Sequence, residues 1–214
     1  QAVAITQNGE KEKTEKSGRS GALPWIGRGY YATSIYIDNV EDRHVELDFD
    51  GAMSEPVVYV NGQRAGYWAY GYTPFKVDIT PYIIKGENHI TVSLHNREES
   101  SRWYPGAGLY RPVTLVTTSK IHLDSWKTVI KTLRNHRNKT VMSLRSTLEG
   151  ASENFRGSMK MSLVDNATGE EKNLGTSQMQ GRTFNGGFPV VNPKLWSPET
   201  PNLYTLKLTL MDND

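Results

Sequence analysis

Nowhere in these 214 residues do apolar side chains hold a period of about 3.6 across three turns, so no amphipathic helix is expected. The chain instead alternates. Val45, Leu47 and Phe49 are interleaved with Glu46 and Asp48, and Leu206, Leu208 and Leu210 with Lys207 and Thr209. That period places apolar side chains on one face of a strand and polar ones on the other. Residues 30–37, 57–60, 75–79, 89–94 and 109–116 read as further strands of a first series. Residues 125–133, 140–148, 157–164, 183–191 and 203–210 read as a second. Asn61-Gly62, after Val57-Val58-Tyr59-Val60, suits a turn with two positive φ angles and marks a hairpin. The series meet near Ser119-Lys120. The predicted fold is all-β, two sandwiches in tandem over residues 25–119 and 120–214, with 1–24 as a leader or loop. Within that leader, Asn8 to Gly18 alternates charges and has almost nothing to bury.

Composition removes several functions. A hydrophobic content of 36% against 22% charged residues supports a packed core. Lys+Arg at 25 against Asp+Glu at 23 leaves a net charge of +2, which gives no electrostatic case for nucleic acid. No run approaches the ~18 apolar residues of a membrane helix. There is no cysteine, which excludes disulfides, thiolate catalysis and Cys-ligated zinc. Gln1-Ala2-Val3-Ala4-Ile5 has neither a basic start nor a long apolar stretch, so no signal peptide is read there.

Candidate chemistry is sparse. His44, His89, His95, His122 and His136 are scattered without metal-ligand spacing, so no metal and no cofactor are expected. Glu98-Glu99 and Glu170-Glu171 are neighbours in sequence, which on a strand sends them to opposite faces; both read as solvated loop charges. The basic run from Arg134 to Lys139 has no interleaved aromatics and reads as a solvated hairpin turn rather than a polyanion site. Asn138-Lys139-Thr140 and Asn166-Ala167-Thr168 fit the N-glycosylation pattern, relevant only in a eukaryotic secretory route. Aromatics crowd the first series: Trp25, Tyr30, Tyr31, Tyr67, Trp68, Tyr70, Tyr72, Trp103, Tyr104 and Tyr110. Most read as packing. The segment Ser100-Ser101-Arg102-Trp103-Tyr104-Pro105-Gly106 is the exception, because polar, aromatic and turn-forming residues coincide in one loop.

Several segments recur in order. They are Gly27-Arg28-Gly29-Tyr30-Tyr31, Phe49-Asp50-Gly51-Ala52-Met53-Ser54, Val58-Tyr59-Val60-Asn61-Gly62 and Gly71-Tyr72-Thr73-Pro74-Phe75 with Val77-Asp78-Ile79-Thr80. Gly86-Glu87-Asn88, Ser101 to Arg111 and Leu195-Trp196-Ser197-Pro198-Glu199-Thr200-Pro201-Asn202-Leu203-Tyr204 follow. Together they resemble the N-terminal half of glycoside hydrolase family 2, most of all its β-galactosidase-type branch.

The resemblance implies a jelly-roll, galactose-binding-like β-sandwich, then an immunoglobulin-like β-sandwich, then a catalytic (β/α)₈ barrel that lies outside this chain. Family members cleave β-glycosides with retention through two glutamates, one of which follows an asparagine. No Asn-Glu pair occurs here, so no catalytic residue is assigned and no hydrolysis is expected from this chain alone. The resemblance places Arg102, Trp103 and Tyr104 at the edge of the sugar pocket; the opposing reading is a docking loop whose Trp103 packs on the barrel. An aspartate that some β-galactosidases carry before the tryptophan is replaced by Ser100, Ser101 and Arg102, which puts a sodium site in doubt. The implied partners are a β-glycoside, the barrel and a second copy in a homo-oligomer. An exported location, periplasmic or secreted, is favoured slightly over a cytoplasmic one. Two other functions stay open: a free-standing carbohydrate-binding module, and a structural sandwich pair for protein contacts. Without its barrel the chain is expected to expose an apolar docking surface.

Overall fold

The computed structural model describes residues 27–96, 108–134 and 139–212. They form fourteen strands: β1 Gly27–Ile37, β2 Arg43–Phe49, β3 Val57–Val60, β4 Gln63–Tyr67, β5 Phe75–Asp78, β6 Gly86–Asn96, β7 Val113–Ser119, β8 His122–Leu123, β9 Val129–Arg134, β10 Thr140–Glu149, β11 Arg156–Asp165, β12 Glu171–Gln180, β13 Thr183–Val190 and β14 Tyr204–Asp212. All pairings are antiparallel, and the helical content among the described residues is two single 3₁₀ turns. The predicted all-β sandwich architecture is what the chain adopts. The chain divides into two compact units between Ser119 and Lys120.

In the first unit, sheet β1-β6-β3-β4 faces sheet β5-β2-β7. The alternating residues of β2 supply its core: Val45, Leu47 and Phe49 are buried with Val58, Val60, Phe75, Val77, Ile79, Ile90 and Val92. Phe49 and Phe75 stack at 4.5 Å between ring centroids. The Asn61-Gly62 turn forms with φ of 50° and 80°, and β4 returns from it. Its Asn61 side chain has a second task. Asn61 Nδ2 donates to Tyr82 O (2.9 Å) and Asn88 Oδ1 (2.8 Å), while Asn61 Oδ1 accepts from His89 N (2.9 Å). Asn88 is fully buried and also ties Ile84 N, Ile84 O and Gly86 O. The Gly86-Glu87-Asn88 motif is thus a buried clamp between two turns, with every polar atom of the Asn88 side chain partnered.

The second unit has β10 at the centre of one sheet, with β13 on one side and β8 and β9 on the other. The other sheet is β12-β11-β14. Its core is Met142, Leu144, Leu148, Phe155, Met159, Met161, Met179, Phe184 and Phe188. Gly186 lies between Phe184 and Phe188, whose rings stack at 6.2 Å; a Cβ there would come within 2.7 Å of the Phe188 ring.

Three local readings are corrected. Residues 125–133 do not form one strand: Asp124 caps a 3₁₀ turn at Ser125–Lys127, its carboxylate accepting from Trp126 N (2.9 Å) and Lys127 N (3.3 Å), and β9 starts after it. The strand read from Leu109 begins after Pro112, at Val113, because proline has no N–H to give a ladder. β12 has no counterpart among the sequence-predicted strands. It carries only Leu174 and Met179 as large apolar residues and a register shift where β11 passes from Met161 to Ser162, so its alternation is too weak to read.

Candidate functional site

The loop selected from sequence, residues 97–107 with Arg102, Trp103 and Tyr104, lies outside the described residues, as do Trp25, Glu98, Glu99, His136 and the leader. Both roots of the loop are described, and the same segment of chain holds both. On the outgoing side, His95 N donates to Ser54 O (2.8 Å) and Ser54 Oγ donates to His95 O (2.7 Å). His95 Nδ1 lies 3.3 Å from Glu55 Oε2. On the returning side, Met53 and Gly108 exchange two backbone hydrogen bonds of 3.0 and 2.8 Å. Asp50 N then donates to Pro112 O (3.1 Å), and Arg111 donates to Asp50 O (3.2 Å).

Steric demands tie the same motifs together. Gly108 has φ of 106°, and a Cβ on it would stand 2.4 Å from Tyr31 Oη. A Cβ on Gly51 would meet Tyr110 Oη at 2.6 Å, and one on Gly71 would meet Met53 Sδ at 2.4 Å. Tyr110 Oη donates to Gly71 O (2.8 Å). The Asp50 to Ser54 segment, Gly71 and Gly108 to Arg111 therefore lock into one base at the described roots of the loop. Sequence reading used Gly71-Tyr72-Thr73-Pro74-Phe75 only as a motif of the family resemblance and missed the Glu55–His95 pair. The only sequence signal for that pair was that His95 stands just before the loop.

Aromatics surround this base. Tyr70, Tyr72 and Tyr110 are exposed, and the Arg111 guanidinium lies 5.2 Å from the Tyr110 ring centroid. Trp68 stacks on Phe75 at 5.7 Å and donates its indole N–H to Thr73 Oγ1 (3.0 Å). Trp68 is thus partly a packing residue, and the exposed Tyr70 and Tyr72 rings lie against each other at 5.6 Å between centroids.

Elsewhere in the first unit, β2 brings two carboxylates to one face. Burial pushes Glu46 up, but hydrogen bonds from Lys76 and His44 outweigh it and hold the carboxyl below its usual range. Burial and the neighbouring Glu46 charge raise Asp48. Opposed shifts of this kind accompany acid–base pairs. Here one ammonium serves both: Lys76 Nζ bonds Glu46 Oε1 and sits 3.5 Å from Asp48 Oδ2. The arrangement is an ion-pair ladder across β2 and β5, in which Asp48 Oδ1 is buried without a hydrogen-bond partner among the described residues. Glu170 and Glu171 are likewise surface groups: Lys207, with help from Ser162, lowers Glu171. Each histidine among the described residues has a neighbour in its own unit: His44 with Glu46, His89 with Ser34, His95 with Glu55 and His122 with Glu149.

The described residues form one antiparallel β-sandwich followed by a second. Comparison with known proteins places this pair. Residues 24–119 match the family model for the glycosyl hydrolases family 2 sugar binding domain, and residues 113–214 match a second model of glycosyl hydrolases family 2. The chain belongs to glycosyl hydrolase family 2. It is 33% identical to a β-galactosidase of Bacteroides ovatus over 99% of its own length and 26% of that protein's. It is 32% identical to a putative β-glucuronidase of Formosa agariphila, covering 91% of this chain and 19% of that one. A β-glycosidase of Bacteroides vulgatus superposes with a TM-score of 0.79 at 27% identity, covering 96% of this chain and 27% of its own. The chain spans about a quarter or less of the length of these relatives, in their N-terminal part.

Proposed function

We propose that this chain is the non-catalytic front of a retaining β-glycosidase of β-galactosidase type, acting on terminal β-glycosides. In this reading residues 25–119 are the sugar-binding sandwich and 120–214 the immunoglobulin-like one. The two brace a catalytic barrel, and the loop carrying Arg102, Trp103 and Tyr104 edges its sugar pocket. The supporting observation is the double root of that loop. A segment as polar and aromatic as residues 100–106 gains positional precision when Ser54 and Met53 pin its two ends side by side. Trp103 then offers an apolar face to sugar C–H groups, and Arg102 offers donors to hydroxyl or carboxylate oxygens.

The test is a titration of the 214-residue chain with galactose, glucuronate, mannose and short β-linked oligosaccharides, read by amide chemical shifts. No saturable shift up to tens of millimolar is expected, because ~1 mM affinity, worth about 4 kcal/mol, needs both walls of the pocket. In the barrel-bearing parent, Trp103→Ala is expected to lower kcat/KM by about 10- to 100-fold, on the order of 1.4–2.7 kcal/mol. Saturable shifts at Arg102, Trp103 and Tyr104 in the isolated chain would replace this reading with a free-standing carbohydrate-binding module. An unchanged kcat/KM would leave the loop a docking element.

A further inference from the structure

The inward face of the β1-β6-β3-β4 sheet is core: Val58, Val60, Ile90, Val92 and Leu94 are buried there. The opposite face carries the alternate residues, and they are of another kind. Pairing sets Tyr30, Ser93, Val57 and Tyr67 in one row across the four strands, and Ala32, Thr91, Tyr59 and Arg64 in the next. Ser34 and His89 follow, joined at 2.9 Å, and then Tyr36 and Glu87. Tyr30 is 67% exposed, Tyr36 70% and Tyr67 46%, and every exposed large apolar side chain on this face is a tyrosine.

Two properties of this face restrict what it can hold. Its rings are spread out. Tyr30 and Tyr67 stand three strand spacings apart, about 14 Å, and Tyr30 and Tyr36 are separated by about 20 Å along β1. A single sugar meets one ring, whereas an extended chain meets several at once and gains from their linkage. The face is also cationic. Arg28 stands at the end of β1 opposite Tyr36, and Arg64 lies 5.8 Å from the Tyr67 ring centroid. Glu87, at the far end, is the one carboxylate at these outward positions. A second copy of the chain suits the face poorly: a two-fold pairing about the row Ala32-Thr91-Tyr59-Arg64 sets Arg64 against its own counterpart.

We propose that the outward face of β1-β6-β3-β4 binds a uronate-bearing polysaccharide, with Tyr30, Tyr36, Tyr59 and Tyr67 against sugar rings and Arg28 and Arg64 on carboxylates. Tyrosine suits this task because its ring is apolar and its hydroxyl tip is polar. The planar guanidinium fork of arginine matches a carboxylate with two parallel hydrogen bonds. The proposal rests on the reading of the first unit as a sugar-binding domain and adds to it the place and the charge of the glycan. The length requirement also separates it from the single sugars and short oligosaccharides of the titration above, which span too little of the face to be held.

The test titrates the 214-residue chain with a long β-linked oligoglucuronate and with the same oligomer after its carboxyls are reduced to alcohols, read by amide chemical shifts. Saturable shifts are expected on β1, β3, β4 and β6, with affinity at least about tenfold weaker for the reduced oligomer. Arg28→Gln with Arg64→Gln is expected to remove that difference, and Tyr30→Ala with Tyr67→Ala to weaken both oligomers. All four side chains are exposed, so the core is untouched. Absence of saturable shifts on these strands overturns the proposal, as does equal affinity for the two oligomers. Shifts confined to residues 97–107 overturn it in favour of the loop. Shifts that follow protein concentration without glycan overturn it in favour of a second copy. Cleavage of a small β-glycoside by the barrel-bearing parent is a separate readout, so this face and the glycosidase reading fail separately.

Discussion

The two units solve one problem with different side chains. The first is built from β-branched residues and a stacked pair of aromatics: Val45, Val58, Val60 and Ile79 show no exposure, and Phe49 and Phe75 lie ring on ring. The second relies on Met142, Met159, Met161 and Met179 with Phe184 and Phe188. β-Branched side chains have few rotamers and fix a sheet's packing, whereas methionine adapts to irregular space. The rigid core lies in the unit that also holds His95 and Gly108, between which the loop runs in sequence. The adaptable core lies in the second unit.

The contrast can be broken by substitution. The largest effect is expected from Phe75→Ala, which removes the ring that packs against both Phe49 and Trp68; a loss of about 3–5 kcal/mol should appear in urea unfolding. Amide exchange should confine the loss to the first unit. Next is Asn88→Ala, which orphans Ile84 N and the backbone oxygens of Ile84 and Gly86 around a fully buried position, at about 2–3 kcal/mol. Paired enlargement and reshaping sharpen the comparison. Val58→Leu should cost about 1–3 kcal/mol by overpacking, while Met159→Leu should cost less than about 1.5 kcal/mol. Equal costs at the two sites would remove the distinction between rigid and adaptable cores.

The smallest effect is a pH dependence. The folded-state pKa of Glu46 is lowered by Lys76 and His44, despite burial. Its stabilising contribution is therefore present above the ordinary value of 4.5 and lost as pH falls through the lowered one. Glu46→Gln should flatten the acid limb of a stability curve for the first unit below about pH 4.5 and leave the second unit's curve unmoved. An unchanged acid limb would show that the ladder on β2 contributes nothing to stability.

Much was readable before any coordinates. Alternation at Val45 to Phe49 and at Leu206 to Leu210 gave strands with the correct inward faces, and Asn61-Gly62 gave its hairpin, because period and turn chemistry are local properties. β12 was not readable, since an edge strand with a register shift needs few apolar residues. The turn at Asp124 was missed because its cap depends on one carboxylate meeting two amides. Of the candidate site, the sequence picked out the loop from Ser100 to Gly106 with Arg102, Trp103 and Tyr104. It did not reveal that Gly51, Gly71 and Gly108 answer to Tyr110, Met53 and Tyr31.

The sequence by itself determined an all-β chain in two series, the absence of thiol chemistry and of an Asn-Glu catalytic pair, and a family resemblance carried by ordered motifs. These follow from residue type and spacing along the chain. Only the tertiary structure decided that Ser54 and Met53 hold the two roots of one loop, that Lys76 lies between both carboxylates of β2, and that β10 sits between β9 and β13 while β11 sits between β12 and β14. Each of those depends on residues far apart in sequence meeting within hydrogen-bonding or van der Waals distance, which spacing along the chain does not encode.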